Sequence, residues 1–253
     1  MAPLMKIVVA FGTRPELIKL APVILELKRY PKRFPAILLA TAQHREMLDQ
    51  MLGVFGLVPD FDLGLMTANQ TLADLTGRTM TGVSAVLDKI RPGLLIVQGD
   101  TTTAMTASLA AFYQGIPVAH VEAGLRTGDP RNPFPEEINR RIISVLAGLH
   151  FAPTETSARN LRREGIPADR IQVTGNTVVD ALRRMAPQLK KVPSPLTPSP
   201  GGRLLLVTAH RRESFGAPLE GICLALVDLA EKFVDVEIAY PVHPNPRVVE
   251  VTN

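Results

Sequence analysis

A chain of 253 residues that is 46% hydrophobic and 21% charged, with mean hydropathy +0.14, has the make-up of a globular protein, and disordered, collagen-like and coiled-coil classes are excluded. Its single cysteine, Cys223, cannot form an internal disulfide and fits a reducing compartment. No apolar run approaches the roughly 18 residues of a membrane span, and Lys6–Phe11 is too short for a signal-peptide core, so the expected address is cytoplasmic, with no membrane association. The 28 Lys and Arg against 24 Asp and Glu leave a net charge of +4. The basic residues are spread along the chain, and aromatics are only 5% with no Trp. That pattern favours a small anionic ligand over nucleic acid, which calls for a basic stripe with stacking aromatics.

The first 180 or so residues alternate short apolar runs with amphipathic stretches, the rhythm of a parallel sheet covered by helices on both faces. Strands are predicted at Lys6–Phe11, Ala36–Thr41, Leu94–Gln98, Pro117–Val121 and His150–Pro153, with a weaker one at Arg170–Thr174. Continuous apolar runs of this kind suit strands buried on both faces. Residues 186–202, PQLKKVPSPLTPSPGG in their core, carry no apolar periodicity and read as a proline-stiffened linker between an N-terminal domain, 1–185, and a second segment, 203–253. That segment restarts the rhythm with a strand at Arg203–Thr208, a helix from about Ala217 to Phe233 and a strand at Val236–Pro241. Such a length is marginal for an independent domain, so the segment is expected to be the incomplete start of a second α/β domain.

The chemistry-bearing residues gather where strands end. Gly12-Thr13-Arg14-Pro15-Glu16 follows the first strand: Gly12 permits the turn, Thr13 caps, Pro15 suits the first helical turn and Glu16 complements the dipole. Arg14 is either an anion ligand at a helix N-terminus or a solvated turn residue. In Gln98-Gly99-Asp100-Thr101, Asp100 reads first as an N-cap, although its place at a strand's carboxyl end also suits acid–base work. Glu122 and Arg126 in His120–Arg126 make either a local ion pair or, with Asp100, a carboxylate pair in one crevice whose environments set their proton affinities apart.

The run Phe134–Arg140 opens a helix in which Glu136, Asn139 and Arg140 share one face, while Ile138, Ile142, Val145, Leu146 and Leu149 form the expected core stripe. The ordinary explanation of Glu136 and Arg140 is an exposed i, i+4 pair. In Thr208–Ser214, His210, Arg211 and Arg212 put three potential cations at one strand terminus, a phosphate signal. His243, in a proline-rich loop, and His44 read as turn residues. Metal-ligand spacing, GxGxxG and GxxxxGK[ST] are all absent, which argues against metal, dinucleotide and P-loop chemistry.

The strings GTRPE (12–16), TAQHREML (41–48), QGDTTTA (98–104), HVEAGLRTGD (120–129), PFPEEINRR (133–141), APTETSARNL (152–161), VTGNTVVDAL (173–182), TAHRRESFG (208–216) and YPVHPNP (240–246), in this order, resemble the non-hydrolysing UDP-N-acetylglucosamine 2-epimerases. The resemblance implies an α/β fold of Rossmann-like domains, glycosyltransferase-B type, with only the first part of the second domain present. It also implies a C-terminal truncation, because the chain stops before a Gly-rich serine/glutamate motif and a returning helix. The implied activity is interconversion of UDP-N-acetylglucosamine and UDP-N-acetylmannosamine without a cofactor, by elimination of UDP to a 2-acetamidoglucal and re-addition, in a homodimer serving cell-surface polysaccharide synthesis. Carried over by motif, Asp100, Glu122, Glu136 and His210 are the expected catalytic residues. Arg14, Lys19, Arg140 and His210 are the expected substrate contacts, and Gln43, Gln70, Arg211 and His243 the expected site for an activating second UDP-N-acetylglucosamine. Two rival readings are a glycosyltransferase of the same architecture and a catalytically dead UDP-sugar-binding protein.

Overall fold

The computed structural model describes residues 5–41, 45–65, 67, 70–189, 191–194, 196–209, 216–242 and 246–252. The chain divides into two units, Met1–Gln188 and Leu189–Asn253.

In the first unit, β1 (Ile7–Phe11), β2 (Ala36–Ala40), β3 (Phe61–Asp62), β4 (Leu94–Gln98), β5 (Val118–Val121), β6 (Leu149–Ala152) and β7 (Ile171–Val173) alternate with α1 (Arg14–Leu27), α2 (Arg45–Phe55), α3 (Leu72–Ile90), α4 (Thr102–Tyr113), α5 (Glu136–Leu146), α6 (Glu155–Arg163) and α7 (Thr177–Leu189). The strands form one sheet in the order β3-β2-β1-β4-β5-β6-β7, and all six pairings are parallel. The continuous apolar run of β1 follows from a two-sided core. Ile7, Val9 and Phe11 pack with Leu17, Leu20 and Ile24 of α1 and Leu48 and Leu52 of α2. Val8 and Ala10 face the other way, toward Val83 and Leu87 of α3, Ala104, Ala107 and Ala111 of α4, and Ile143 of α5. A smaller cluster seats Ala158 and Leu161 of α6 beneath β6 and β7.

All six expected strands are present, with ends shifted by a residue at most. The seventh, β3, is two residues long, too short to leave a periodic signal. Helix α7 continues to Leu189 with Pro187 inside it, so the proline-rich stretch starts as helix. Pro187 stands in the last turn, two residues before the helix ends.

The α5 expectation is overturned. Ile138, Ile142, Val145 and Leu149 are exposed, Val145 by 80%, whereas Glu137, Asn139, Arg140, Ile143 and Ser144 are buried. The polar face turns inward because partners wait for it there, as set out below.

The second unit contains β8 (Arg203–Leu206) and β9 (Val236–Ala239), paired in parallel, with α8 (Ala217–Lys232) and α9 (Pro246–Thr252). Cys223 lies within α8 and is partly exposed.

Candidate functional site

After β1 the chain turns to β2 on one side; after β3 it returns through α3 to β4 on the other. The carboxyl ends of β1 and β4 therefore flank a crevice of the kind in which open α/β sheets bind ligands. The loop after β1 packs tightly there. A Cβ on Gly12 would stand 2.3 Å from Thr41 Oγ1 and 2.6 Å from Thr103 Oγ1, so only glycine fits. Glu16, fully buried, accepts from the Gly12 N–H (3.0 Å), the Thr13 N–H (2.7 Å) and the Thr13 hydroxyl (2.8 Å) through one oxygen. Its other oxygen accepts from the Thr101 hydroxyl at 2.7 Å. Burial raises the proton affinity of Glu16 above the usual carboxylate range against these four donors. One carboxyl group thus ties the loop after β1 to the loop after β4, a role beyond the dipole complement expected of it.

Asp100 does not cap α4. Thr101 does, its hydroxyl accepting from the Ala104 N–H at 3.0 Å, because the Gly99-Asp100 turn places the threonine one residue closer to the first helical amides. Asp100 is thereby released to pair with Arg140 Nη2, while its backbone carbonyl accepts from Asn139 Nδ2 at 2.9 Å. Arg140 also meets Glu137 at 3.3 Å, and Glu137 accepts from the Thr127 and Gly128 N–H groups. These contacts are what the inward polar face of α5 serves. The expected Glu136–Arg140 pair is replaced by these contacts, because Arg140 turns to Asp100. Glu136 Oε2 is buried with no hydrogen-bond partner among the described residues.

Glu122 lies at the end of β5 with φ 65°, a left-handed backbone that non-glycine residues rarely adopt. Its carboxylate accepts from Lys19 Nζ at 2.5 Å, from Gln98 Nε2, and from Asn176 Nδ2 at 2.8 Å. The local Glu122–Arg126 pair is absent: Arg126 reaches instead to Glu164, at 2.6 and 2.7 Å, and to Ser144, since the turn through Gly124 (φ 88°) sends the two side chains apart. Burial raises the proton affinity of Asp100; Arg140 opposes that rise, the Glu122 charge adds to it, and Lys19 opposes it more weakly. Asp100 and Glu122 follow the paired carboxyl ends of β4 and β5, where Gln98 stands opposite Val121.

Of the other expected residues, Arg14 is exposed at the first turn of α1 and Lys19 stands one and a half turns further along it. Gln70 lies in the loop before α3, where Oε1 accepts from the Thr67 hydroxyl at 3.2 Å; no described contact joins it to the carboxylate cluster. Gln43, His210, Arg211 and His243 lie outside the described residues, as do His44 and Arg212.

Residues 26–253 match the family described as UDP-N-acetylglucosamine 2-epimerase. The chain is 50% identical, over 257 aligned residues, to the UDP-N-acetylglucosamine 2-epimerase of Escherichia coli K12, with 98% of this chain and 68% of that protein covered. It belongs to the UDP-N-acetylglucosamine 2-epimerase family. The Bacillus subtilis enzyme of the same name is 46% identical, with 98% of this chain and 65% of that one covered. Among solved structures, the Neisseria meningitidis UDP-GlcNAc 2-epimerase bound to UDP-GlcNAc superposes with TM-score 0.90 at 44% identity, covering 98% of this chain and 68% of that one. The Methanocaldococcus jannaschii UDP-GlcNAc 2-epimerase, in complex with UDP-GlcNAc and UDP, superposes with TM-score 0.82 at 32% identity, covering 98% and 68%. As in the family, the first unit is a Rossmann-like α/β layer structure of glycosyltransferase-B type.

Gln98, Asn139 and Asn176 went unassigned in the sequence. Gln98 left a signal, being the one polar residue closing an otherwise apolar strand; in the fold it is only 2% exposed. Asn176 left none, because the loop after β7 meets Glu122 only through the fold.

Proposed function

We propose that this epimerase-family chain inverts C2 of UDP-N-acetylglucosamine to give UDP-N-acetylmannosamine, by eliminating UDP to a 2-acetamidoglucal and adding it back. The observation that carries this reading is that Asp100 and Glu122 follow the ends of two adjacent strands, each carboxylate paired with a cation, Arg140 on Asp100 and Lys19 on Glu122. The C2–H bond is not acidified by a carbonyl, so its cleavage must accompany departure of the pyrophosphate from C1. Carboxylates near the sugar and cations near the phosphates supply the two halves of that step. The C2 proton passes to a carboxylate, the C1–C2 double bond forms and the C1–O bond breaks; return of UDP with protonation of the opposite face completes the inversion. Asp100, whose affinity for a proton is raised by burial, is the carboxylate suited to take that proton. Glu122 is fixed by three donors, and Glu136 opens α5 one turn before Asn139 and Arg140. Arg14, exposed at the N-terminus of α1, is placed for a phosphate.

Homologues solved with UDP-GlcNAc and UDP support the same ligands here. No helix among the described residues is long and apolar enough to cross a membrane. A homodimer is supported by the outward stripe of Ile138, Ile142 and Val145 on α5, alongside exposed Phe112 and Tyr113 at the end of α4, an apolar face suited to a second copy of itself.

Incubation with UDP-N-acetylglucosamine in heavy water tests the activity. Deuterium is expected at C2 of both nucleotide sugars without any acceptor. Binding of UDP with no exchange would leave a sugar-nucleotide-binding protein, and transfer only to an added acceptor would make it a glycosyltransferase.

A further inference from the structure

His120 belongs to none of the roles above, although it stands two residues before Glu122 on β5, wholly buried. Its Nε2 lies 2.7 Å from the Gly99 carbonyl oxygen. A carbonyl only accepts, so Nε2 carries the proton; Nδ1 is left as a bare acceptor, without a partner among the described residues. The Gly99 N–H in turn donates to Val121 O at 3.0 Å. Both backbone groups of Gly99 are therefore fastened to β5, on either side of a residue whose φ of 72° permits the sharp turn. The next residue is Asp100. Its carbonyl is held by Asn139 Nδ2, and the Thr101 hydroxyl by Glu16. Of the side-chain clamps only His120 acts from the strand that leads into Glu122, and with the Val121 carbonyl it ties the turn carrying Asp100 to that strand.

We propose that His120 is a positioning residue: as a neutral Nε2–H donor to the Gly99 carbonyl, it sets the turn that presents Asp100 to Arg140 beside the strand end carrying Glu122, without touching the sugar nucleotide. This rests on the reading of Asp100 as a participant in the C2 chemistry. Without the donor, Gly99 O is a buried carbonyl lacking a partner, and the turn relieves that by rotating. A displacement of about 1 Å at a reacting group is enough to cost about 100-fold in rate.

The experiment compares His120→Leu, which keeps the bulk and deletes the donor, with His120→Gln, whose side-chain amide can again donate at similar reach. Each is first shown to be folded by circular dichroism. Two readouts are taken on the whole chain: steady-state epimerisation of UDP-N-acetylglucosamine, and the titration of the Asp100 carboxyl carbon by NMR, assigned by comparison with Asp100→Asn. His120→Leu is expected to lower kcat by about 10- to 100-fold with KM within about twofold. It is also expected to move the Asp100 midpoint toward the ordinary aspartate value, as water reaches the loosened turn. His120→Gln is expected to recover most of kcat and the original midpoint. Unchanged Asp100 titration in a folded His120→Leu, an equal defect in both variants, or an Nδ1–H tautomer in the imidazole nitrogen spectrum overturns the proposal. Failure of the activity reading is recognised separately: the unmodified chain then shows no C2 exchange, while the carboxyl titrations still decide the role of His120.

Discussion

Glu122 holds a left-handed backbone at φ 65°, which costs a non-glycine residue about 1–3 kcal/mol. Three side-chain donors on its carboxylate offset that cost, and they come from α1, β4 and the loop before α7. Glu122→Gln cannot satisfy them all: whichever way the amide is turned, its NH2 faces a donor, and the charge opposite Lys19 is gone. Turnover is expected to fall by about 10²- to 10⁴-fold, the usual worth of a placed acid–base group, and Asp100→Asn should do the same. Deuterium exchange at C2 measures the loss, and an unaltered circular dichroism spectrum separates it from unfolding.

A second residue-scale consequence concerns stability in acid. Burial pushes the His120 imidazole down to about 3 from an ordinary 6.5, with the neighbouring charges of His150, Arg126 and Arg140 acting in the same direction and the Gly99 carbonyl opposing. His150, its register partner on β6, is lowered as well, chiefly by burial. Above pH 6.5 both folded and unfolded states hold a neutral ring. Below it the unfolded chain takes up a proton that the folded state refuses, so stability falls as pH drops from 6.5 toward 3. At pH 4.5 the His120 share is about 2 to 3 kcal/mol, from about 1.4 kcal/mol per pH unit. Urea unfolding of the unmodified chain at pH 7 and 4.5 should show this loss in excess of that seen for His120→Gln.

At the scale of single elements, α5 shows where sequence and structure part. Its 3.6-residue period gives a helix in the right place, because periodicity reports that two faces differ. It does not report which face is buried. The assumption that the apolar face goes inward fails because the sheet edge beneath α5 is itself polar: Asp100 takes Asn139 and Arg140, and Ser144 takes Arg126. Strand positions were legible for the opposite reason, since runs such as IVVAF bury both faces and need no choice of side. The carboxylates were legible as residues at strand ends, but their donors, Asn176 on Glu122 and Arg140 on Asp100, arrive from segments remote in sequence.

The same element supports a contrast between neighbours. Ile143 is fully buried in the core shared with α3 and α4, so Ile143→Ala should cost about 2–5 kcal/mol in chemical denaturation. Val145, two positions on and 80% exposed, should tolerate Arg with less than about 0.5 kcal/mol lost from the isolated fold. If the outward stripe meets a second copy, Val145→Arg instead converts a dimer to a monomer in light scattering. An unchanged mass would exclude this stripe as the interface.

At the scale of the whole molecule, the two units differ in how completely each covers its own apolar surface. All three core clusters lie in the first, which carries both sides of a seven-stranded sheet under helices. In the second, Leu204, Leu205 and Leu206 of β8 are all exposed, as are Leu224 and Val227 of α8, and among its described residues only Leu219 and Val248 are fully buried apolar residues. A unit of that size buries too little surface to match the first in stability. The segment between them carries prolines at 193, 195, 198 and 200 and no helix or strand among its described residues from 191 to 202, the kind of exposed backbone that proteases cut first. Limited proteolysis should therefore remove the second unit and leave a resistant fragment ending within about ten residues of Gln188, as read by intact mass. The fragment should keep the unmodified chain's main thermal transition and the Asp100 carboxyl titration, since the groups that shift it, Arg140, Glu122 and Lys19, all belong to the first unit. Cleavage inside the first unit ahead of this segment would show that its sheet does not hold without the second.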